Sequence, residues 1–173
     1  MMIPSEALKY FTFDTDMGWV GILASTGGLL GTTLPQHSAQ EARQLLGERV
    51  NQATWSPRQL ADPAERLGNY FRGQQAAFTD ELDLSAATPF QRKVWETARV
   101  IPYGETRSYL WIAEQIHQPG AARAVGQALG RNPLPIIIPC HRVLRSNGGP
   151  GGFRGGLEMK QRLLSLEKSA LSR

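Results

Sequence analysis

At Thr88 the hydrophobic period of the chain changes, and this change limits the folds open to its 173 residues. Upstream, LKYFTFDTD, GWVGILAST and GLLGTTLP are short runs rich in β-branched and aromatic residues, parted by Asp, Met-Gly and Gly-Gly. They predict a three-stranded antiparallel meander. SAQEARQLLGERV predicts a helix with Ser38 as cap and Glu41 at capping-box spacing. DPAERLGNYFRG predicts a second helix, capped by Asp62, begun by Pro63 and ended by Gly73, with Leu67, Tyr70 and Phe71 on one face. FTDELDL reads as a strand or a linker. The first half is therefore α+β.

Downstream the pattern is helical. TPFQRKVWETARVI places Thr88 as cap, Pro89 first, and Phe90, Val94, Trp95 and Ala98 as an apolar stripe. SYLWIAEQIH, capped by Ser108, and AARAVGQALGRN, ended by Pro133, follow across tight turns, as in a helix-turn-helix. LPIIIPCHRVL is apolar and proline-flanked, so it is expected to be extended. SNGGPGGFRGG is a loop with six glycines in eleven residues. LEMKQRLLSLEKSA predicts a closing amphipathic helix with Leu157, Leu163, Leu164 and Leu166 as apolar positions. The expected organisation is two domains, residues 1–84 and 85–173.

Charge divides the same way. Residues 1–84 hold 6 Lys/Arg against 10 Asp/Glu, a net of −4, and residues 85–173 hold 13 against 5, a net of +8. A basic half points to a polyanion, nucleic acid first, although a solvated basic surface would look the same. The opening MMIPSEALKYFTFD lacks the basic stretch and apolar run of a secretory signal, and no uncharged run is long enough to span a bilayer. One cysteine excludes an internal disulfide and a four-cysteine metal site, which fits a reducing, cytoplasmic compartment.

That cysteine, Cys140, stands between IIIP and His141. A thiol reacts as thiolate, favoured by a neighbouring cation or base and opposed by apolar burial. Two readings stay open from the residues alone, an inert buried cysteine and a nucleophile. In an extended segment His141 would point to the opposite face, so a bridging water is the natural route between them. Glu158 and Glu167 are candidates to orient the imidazole. The helix over Ala121–Gly130 is built largely of Ala and Gly, which allows close approach to a neighbouring helix or to a nucleic-acid groove.

IPCHRV resembles the active-site signature of the O6-alkylguanine-DNA alkyltransferases, the methylated-DNA–protein-cysteine methyltransferases. The resemblance extends through TPFQRKVWETARVIPYGETRSY, PGAARAVGQALGRNPLPIIIPCHRVLRSNG and GGFRGGLEMKQRLLSLE, roughly Thr88 to Lys168. It implies an RNase H-like first domain and a winged helix-like helix-turn-helix second domain. It implies that Cys140 accepts an alkyl group from O6 of guanine, and from O4 of thymine, in double-stranded DNA, irreversibly and without cofactor or metal. His141 would be the base through a water, Glu167 would polarise it, and Asn132 would brace the turn. Tyr109 would press the phosphate so that the nucleotide rotates out, and would protonate the leaving guanine. Arg123 would fill the vacated stack, with Ala122, Ala124, Gly126 and Ala128 in the minor groove. Ser108, Pro135, the main chain of Val143, and Phe153, Arg154 and Gly155 would line the base pocket. A monomer is expected, with cooperativity along DNA left open.

The sequence departs from the family at three places. Phe153 stands where tyrosine is common, Arg154 replaces a small residue, and Trp111 stands where a smaller one is expected. Trp111 reads either as a core residue between helices or as a DNA contact.

Overall fold

The computed structural model describes residues 7–172, so the opening MMIPSE lies outside the described residues. The chain forms two compact units, Met1–Ser85 and Ala86–Arg173. The architecture is α+β.

In the first unit, β1 (Lys9–Thr15), β2 (Gly18–Ser25) and β3 (Gly28–Thr32) form the antiparallel meander. The β1–β2 pairing runs from Lys9↔Ala24 to Thr15↔Gly18, which leaves a two-residue connection. Gly18 closes it at φ 129, and a Cβ there would lie 2.7 Å from the Gln36 carbonyl oxygen, so only glycine fits. Helix α1 (Ala39–Leu45) starts at Ser38, whose hydroxyl accepts from the Glu41 amide. Glu41 reaches back to the amide of His37, one residue beyond the cap. A short edge strand, β4 (Thr54–Trp55), follows and pairs parallel with β1, giving the order β3-β2-β1-β4. Two residues are too few to carry a period, so this addition to the meander left no trace in the sequence.

Helix α2 (Ala61–Phe71) corrects one capping expectation. Leu60 is the cap residue, and Asp62 lies inside the first turn. Pro63 need not be the first helical residue, because any of the first helical amides is unpaired within the helix and can be lost. Leu67, Tyr70 and Phe71 are buried as expected. FTDELDL is a linker that runs beside β3, with Leu29 donating to the Glu81 carbonyl and accepting from the Asp83 amide.

The second unit packs three helices, α3 (Pro89–Arg99), α4 (Tyr109–Gln115) and α5 (Ala122–Gly130), against one another. Thr88 and Gln91 form a full capping box, and Ser108 caps α4 by accepting from the Trp111 amide. The Trp95 indole donates to the Ala128 carbonyl at 2.8 Å, tying α3 to α5. Trp111 sits half-buried with the Arg107 guanidinium 5.5 Å over its ring, so it is not a core residue. Strands β5 (Arg107–Ser108) and β6 (Val143–Leu144) pair in parallel and fix the start of α4 beside the segment after Cys140.

The segment Leu134–Arg142 overturns the extended reading. Pro135 and Ile138 bridge to each other, Ile136 adopts φ 76, and Cys140–Arg142 is a single 3-10 turn. The run is apolar because it is a buried turn, not because it is a strand. The last helix, α6 (Leu157–Leu171), buries Lys160, Leu163 and Glu167, and Leu157 is exposed. Its inward face therefore carries two charges that a search for leucines passes over.

Candidate active site

Asn132, at the end of α5, builds the turn that presents the thiol. Its Nδ2 donates to the Ile138 carbonyl and its Oδ1 accepts from the Leu134 amide, both at 2.8 Å. One buried side chain thus supplies both hydrogen bonds that a ladder would otherwise provide. It holds Ile136 in the left-handed region, which a β-branched residue enters only when its surroundings demand it.

The 3-10 turn then delivers three functional groups in consecutive positions. Successive residues on such a turn project about 120° apart, not to opposite faces. Cys140 is buried, and burial pushes its thiol up, against the pull of the Asn132 hydrogen bond and the Lys160 charge. His141 is fully buried, and its Nε2 lies 2.5 Å from Glu167 Oε2. Burial pushes His141 below its ordinary value, with Glu167 pulling the other way. Burial thus favours the neutral imidazole, and in that form the Glu167 contact places its proton on Nε2. Arg142 donates from Nε to Glu167 Oε1 at 2.8 Å and from Nη2 to Oε2 at 3.2 Å. The Gly104 amide adds a fourth contact at 2.9 Å. Burial alone would raise the Glu167 carboxyl, but His141 and Arg142 outweigh it and hold it at about 2. Glu158, the other candidate, is exposed at the first turn of α6. Among the described residues no group of three His, Cys, Asp or Glu could hold a metal ion.

Lys160 went unnoticed in the sequence. Its side chain is buried, and its Nζ donates to the carbonyls of Val143 at 2.7 Å, Pro150 at 2.5 Å and Gly152 at 3.4 Å. It pins the glycine-rich loop to β6. Burial lowers it to about 8, with the Cys140 charge pulling upward. A lysine on an amphipathic helix usually marks the wet face, so only its spacing from Leu163 and Glu167 hinted otherwise.

Tyr109 stands between α5 and this loop. Its ring passes about van der Waals distance from where a Gly126 Cβ would be, 3.7 Å, and its hydroxyl would lie 2.4 Å from a Cβ on Gly151, which has φ 69. Glycine at 151 is required by both its backbone and its neighbour. The Tyr109 hydroxyl donates to the Gly152 carbonyl at 3.5 Å. Burial raises Tyr109, and the Cys140 charge adds to that shift. Ser108 and Pro135 are half-buried, Val143 is buried, and the loop residues Phe153, half-buried, and Arg154 and Gly155, both exposed, follow. Lys160 Nζ lies 5.9 Å from the Tyr109 and Phe153 ring centroids, so these two residues share one cation.

On α5, Arg123 is exposed, Ala122, Ala124 and Gly126 are half-buried, and Gln127 and Gly130 are exposed beside Arg123. Ala128 is a correction. At 100° per residue it falls on the inward side with Val125 and Leu129, is 4% exposed, and faces the core, not a groove. Gln127 and Gly130 take its place on the outer face. The helix packs through Val125, Ala128 and Leu129, and its opposite side is bare.

Comparison with known proteins agrees with this geometry. Residues 89–169 match the family model described as 6-O-methylguanine DNA methyltransferase, DNA binding domain. The chain is 55% identical, over 93% of its own length and 93% of the relative's, to a methylated-DNA–protein-cysteine methyltransferase of Mycolicibacterium paratuberculosis. It is similar to the crystal structure of Mycobacterium tuberculosis O6-methylguanine methyltransferase, with TM-score 0.78, 40% identity and 94% of both chains covered. A Mycobacterium tuberculosis relative solved in complex with DNA is as similar, with TM-score 0.78, 42% identity and 94% of both chains covered. Identity at this level over nearly the whole length leaves one assignment, and the chain belongs to the methylated-DNA–protein-cysteine methyltransferases.

Proposed function

We propose that this chain repairs DNA by moving an alkyl group from O6 of guanine, or O4 of thymine, to Sγ of Cys140. The observation that carries this is the shared 3-10 turn, in which Cys140 adjoins an imidazole held 2.5 Å from a buried carboxylate. Cys140 gives its proton through a water to Nδ1 of His141, because Glu167 holds Nε2. The thiolate attacks the alkyl carbon, the C–S bond forms, and the C–O bond breaks with its electron pair staying on the base. Tyr109 donates a proton to the leaving guanine and regains one, by way of solvent, as the His141 imidazolium gives up the proton it took. The thioether has no easy route back, so one chain performs one transfer, with no cofactor and no metal.

The target atom lies inside the stack, so the nucleotide must rotate out of the duplex at a cost of a few kcal/mol. Arg123, exposed at the start of α5, fills the gap. Ala122, Ala124, Gly126, Gln127 and Gly130 form a low surface suited to the minor groove, and Tyr109 bears on the phosphate of the turning nucleotide. Ser108, Pro135, the Val143 main chain, Phe153, Arg154 and Gly155 receive the base. The domain of residues 85–173 performs this chemistry, and residues 1–84 form a structural domain. The chain works as a cytoplasmic monomer on double-stranded DNA. No described helix is long and apolar enough to cross a membrane.

Incubation with duplex DNA containing O6-methylguanine is expected to add one methyl mass to the peptide that holds Cys140, in a single turnover. Unmodified Cys140 beside intact substrate would sink the proposal.

A further inference from the structure

We propose that Arg142 is a positioning residue for this reaction, one that shares the Glu167 carboxylate with His141 and the Gly104 amide and so keeps His141 a neutral base. This rests on the functional reading above. Arg142 is 7% exposed, and its guanidinium is held from two further sides. Its Nη1 donates to the Ile101 carbonyl at 2.8 Å, and its carbon lies 5.5 Å from the Tyr103 ring centroid. Its remaining fork lies on Glu167 through Nε and Nη2, while His141 Nε2 contacts Oε2.

Glu167 and Arg142 cancel, so the resting cluster is neutral only while His141 is uncharged. The groups acting on His141 are Glu167 and Lys160 from α6 and Arg142 from its own turn. Helix α3, which also packs on this turn, faces inward with Val94, Trp95 and Ala98. Remove the guanidinium, and the buried carboxylate is left with His141 as its near cationic partner. An unpaired buried carboxylate recruits a proton from whatever group can hold one beside it. His141 would then rest as imidazolium, without the lone pair that must take the proton of Cys140. A lysine would keep the charge but not the planar two-point clasp.

Two variants and two readouts test this. Nitrogen-15 shifts of the imidazoles report protonation directly, and His141 stands apart from the exposed His37 and His117 among the three histidines. In the parent chain His141 is expected to stay neutral at pH 7. In Arg142→Met it is expected to be protonated there, with methyl transfer at pH 7 slowed about tenfold and its pH profile moved up by about one unit. Arg142→Lys is expected to shift both readouts part of the way, and it decides the matter if the methionine variant does not fold. A folded variant with parental nitrogen shifts and a parental pH profile would overturn the proposal. If the parent chain transfers no alkyl group, the functional reading fails, while the nitrogen shifts still decide the role of Arg142.

Discussion

Up to Ser85, the buried polar side chains among the described residues are hydroxyls: Thr12, Thr32, Thr33 and Ser56. Beyond it they are Asn132, His141, Arg142, Lys160 and Glu167. The two units are of similar length, yet one core is built around a sheet with neutral polar groups, and the other encloses two cations, an anion and a titratable base. A hydroxyl can meet one backbone partner and be satisfied, as Thr33 Oγ1 accepts from the Gly21 amide at 2.9 Å. A buried charge needs several partners at once, and Glu167 has four contacts, from His141, Gly104 and both arms of the Arg142 fork. Such networks are expensive to leave half-made and are found where chemistry requires them. The difference between the units therefore locates the site before any comparison with other proteins does.

The comparison breaks most easily at Glu167. Glu167→Ala leaves the buried Arg142 charge uncompensated and is expected to destabilise the second unit by about 3–5 kcal/mol. Thr33→Val, which deletes one hydrogen bond in the first unit, should cost about 1 kcal/mol. Denaturant unfolding followed by hydrogen exchange resolves the units separately. Equal costs at the two positions would remove the distinction.

Acid should sharpen it at a smaller magnitude. Glu167 is held at about 2 against an ordinary 4.5, and His141 lies below its ordinary 6.5 through burial. Both folded values are lower than the unfolded ones, so the folded unit binds fewer protons and acid favours unfolding. The stability involved is complete above pH 6.5. It falls first as His141 demands a proton in the unfolded chain, then further between 4.5 and 2 as Glu167 does. The Glu167 part is on the order of 3 kcal/mol. Asp83 in the first unit is also lowered, where burial is outweighed by Ser25 and Ser85, but it is half-exposed and adds less. Two variants that each keep one of the four tryptophans follow the units separately by fluorescence, through Trp19 in β2 and the buried Trp95 in α3. The Trp95 transition is expected to move to lower temperature below pH 6, ahead of that of Trp19. Transitions that shift together, or Trp19 first, would contradict the assignment of acid sensitivity to the second unit.

Much of the scaffold was legible because local chemistry decided it. Ser38, Thr88 and Ser108 cap the helices they precede, since each hydroxyl has an unpaired amide three residues on. Asp62 was misplaced because Pro63 tolerates any position in a first turn. The candidate nucleophile and its partners were legible only through long motifs. IIIP has the composition of a strand, and the device that folds it into a turn, Asn132, acts across six residues on Ile138. Lys160 looks like any surface lysine until the three carbonyls around it are in place. Ala128 and Arg123 differ in burial because of helix phase, and small size alone did not reveal which alanines face outward.

Arg123 provides the smallest expected effect on stability and the cleanest separation of scaffold from function. It is exposed at the start of α5, and no burial or cap depends on it, so Arg123→Ala should change unfolding by less than about 0.5 kcal/mol. Its proposed work is confined to duplex DNA, where the guanidinium occupies the space of the rotated nucleotide. Loss of that filler leaves the unstacking penalty fully unoffset. Alkyl transfer from a duplex is expected to slow by about tenfold or more, while transfer from a free O6-alkylguanine base, which needs no rotation, should continue at the parental rate. Paired single-turnover assays on the two substrates check this. Equal losses on both would move Arg123 from base rotation to the pocket itself, and a loss of stability would place it in the packed framework of the second unit.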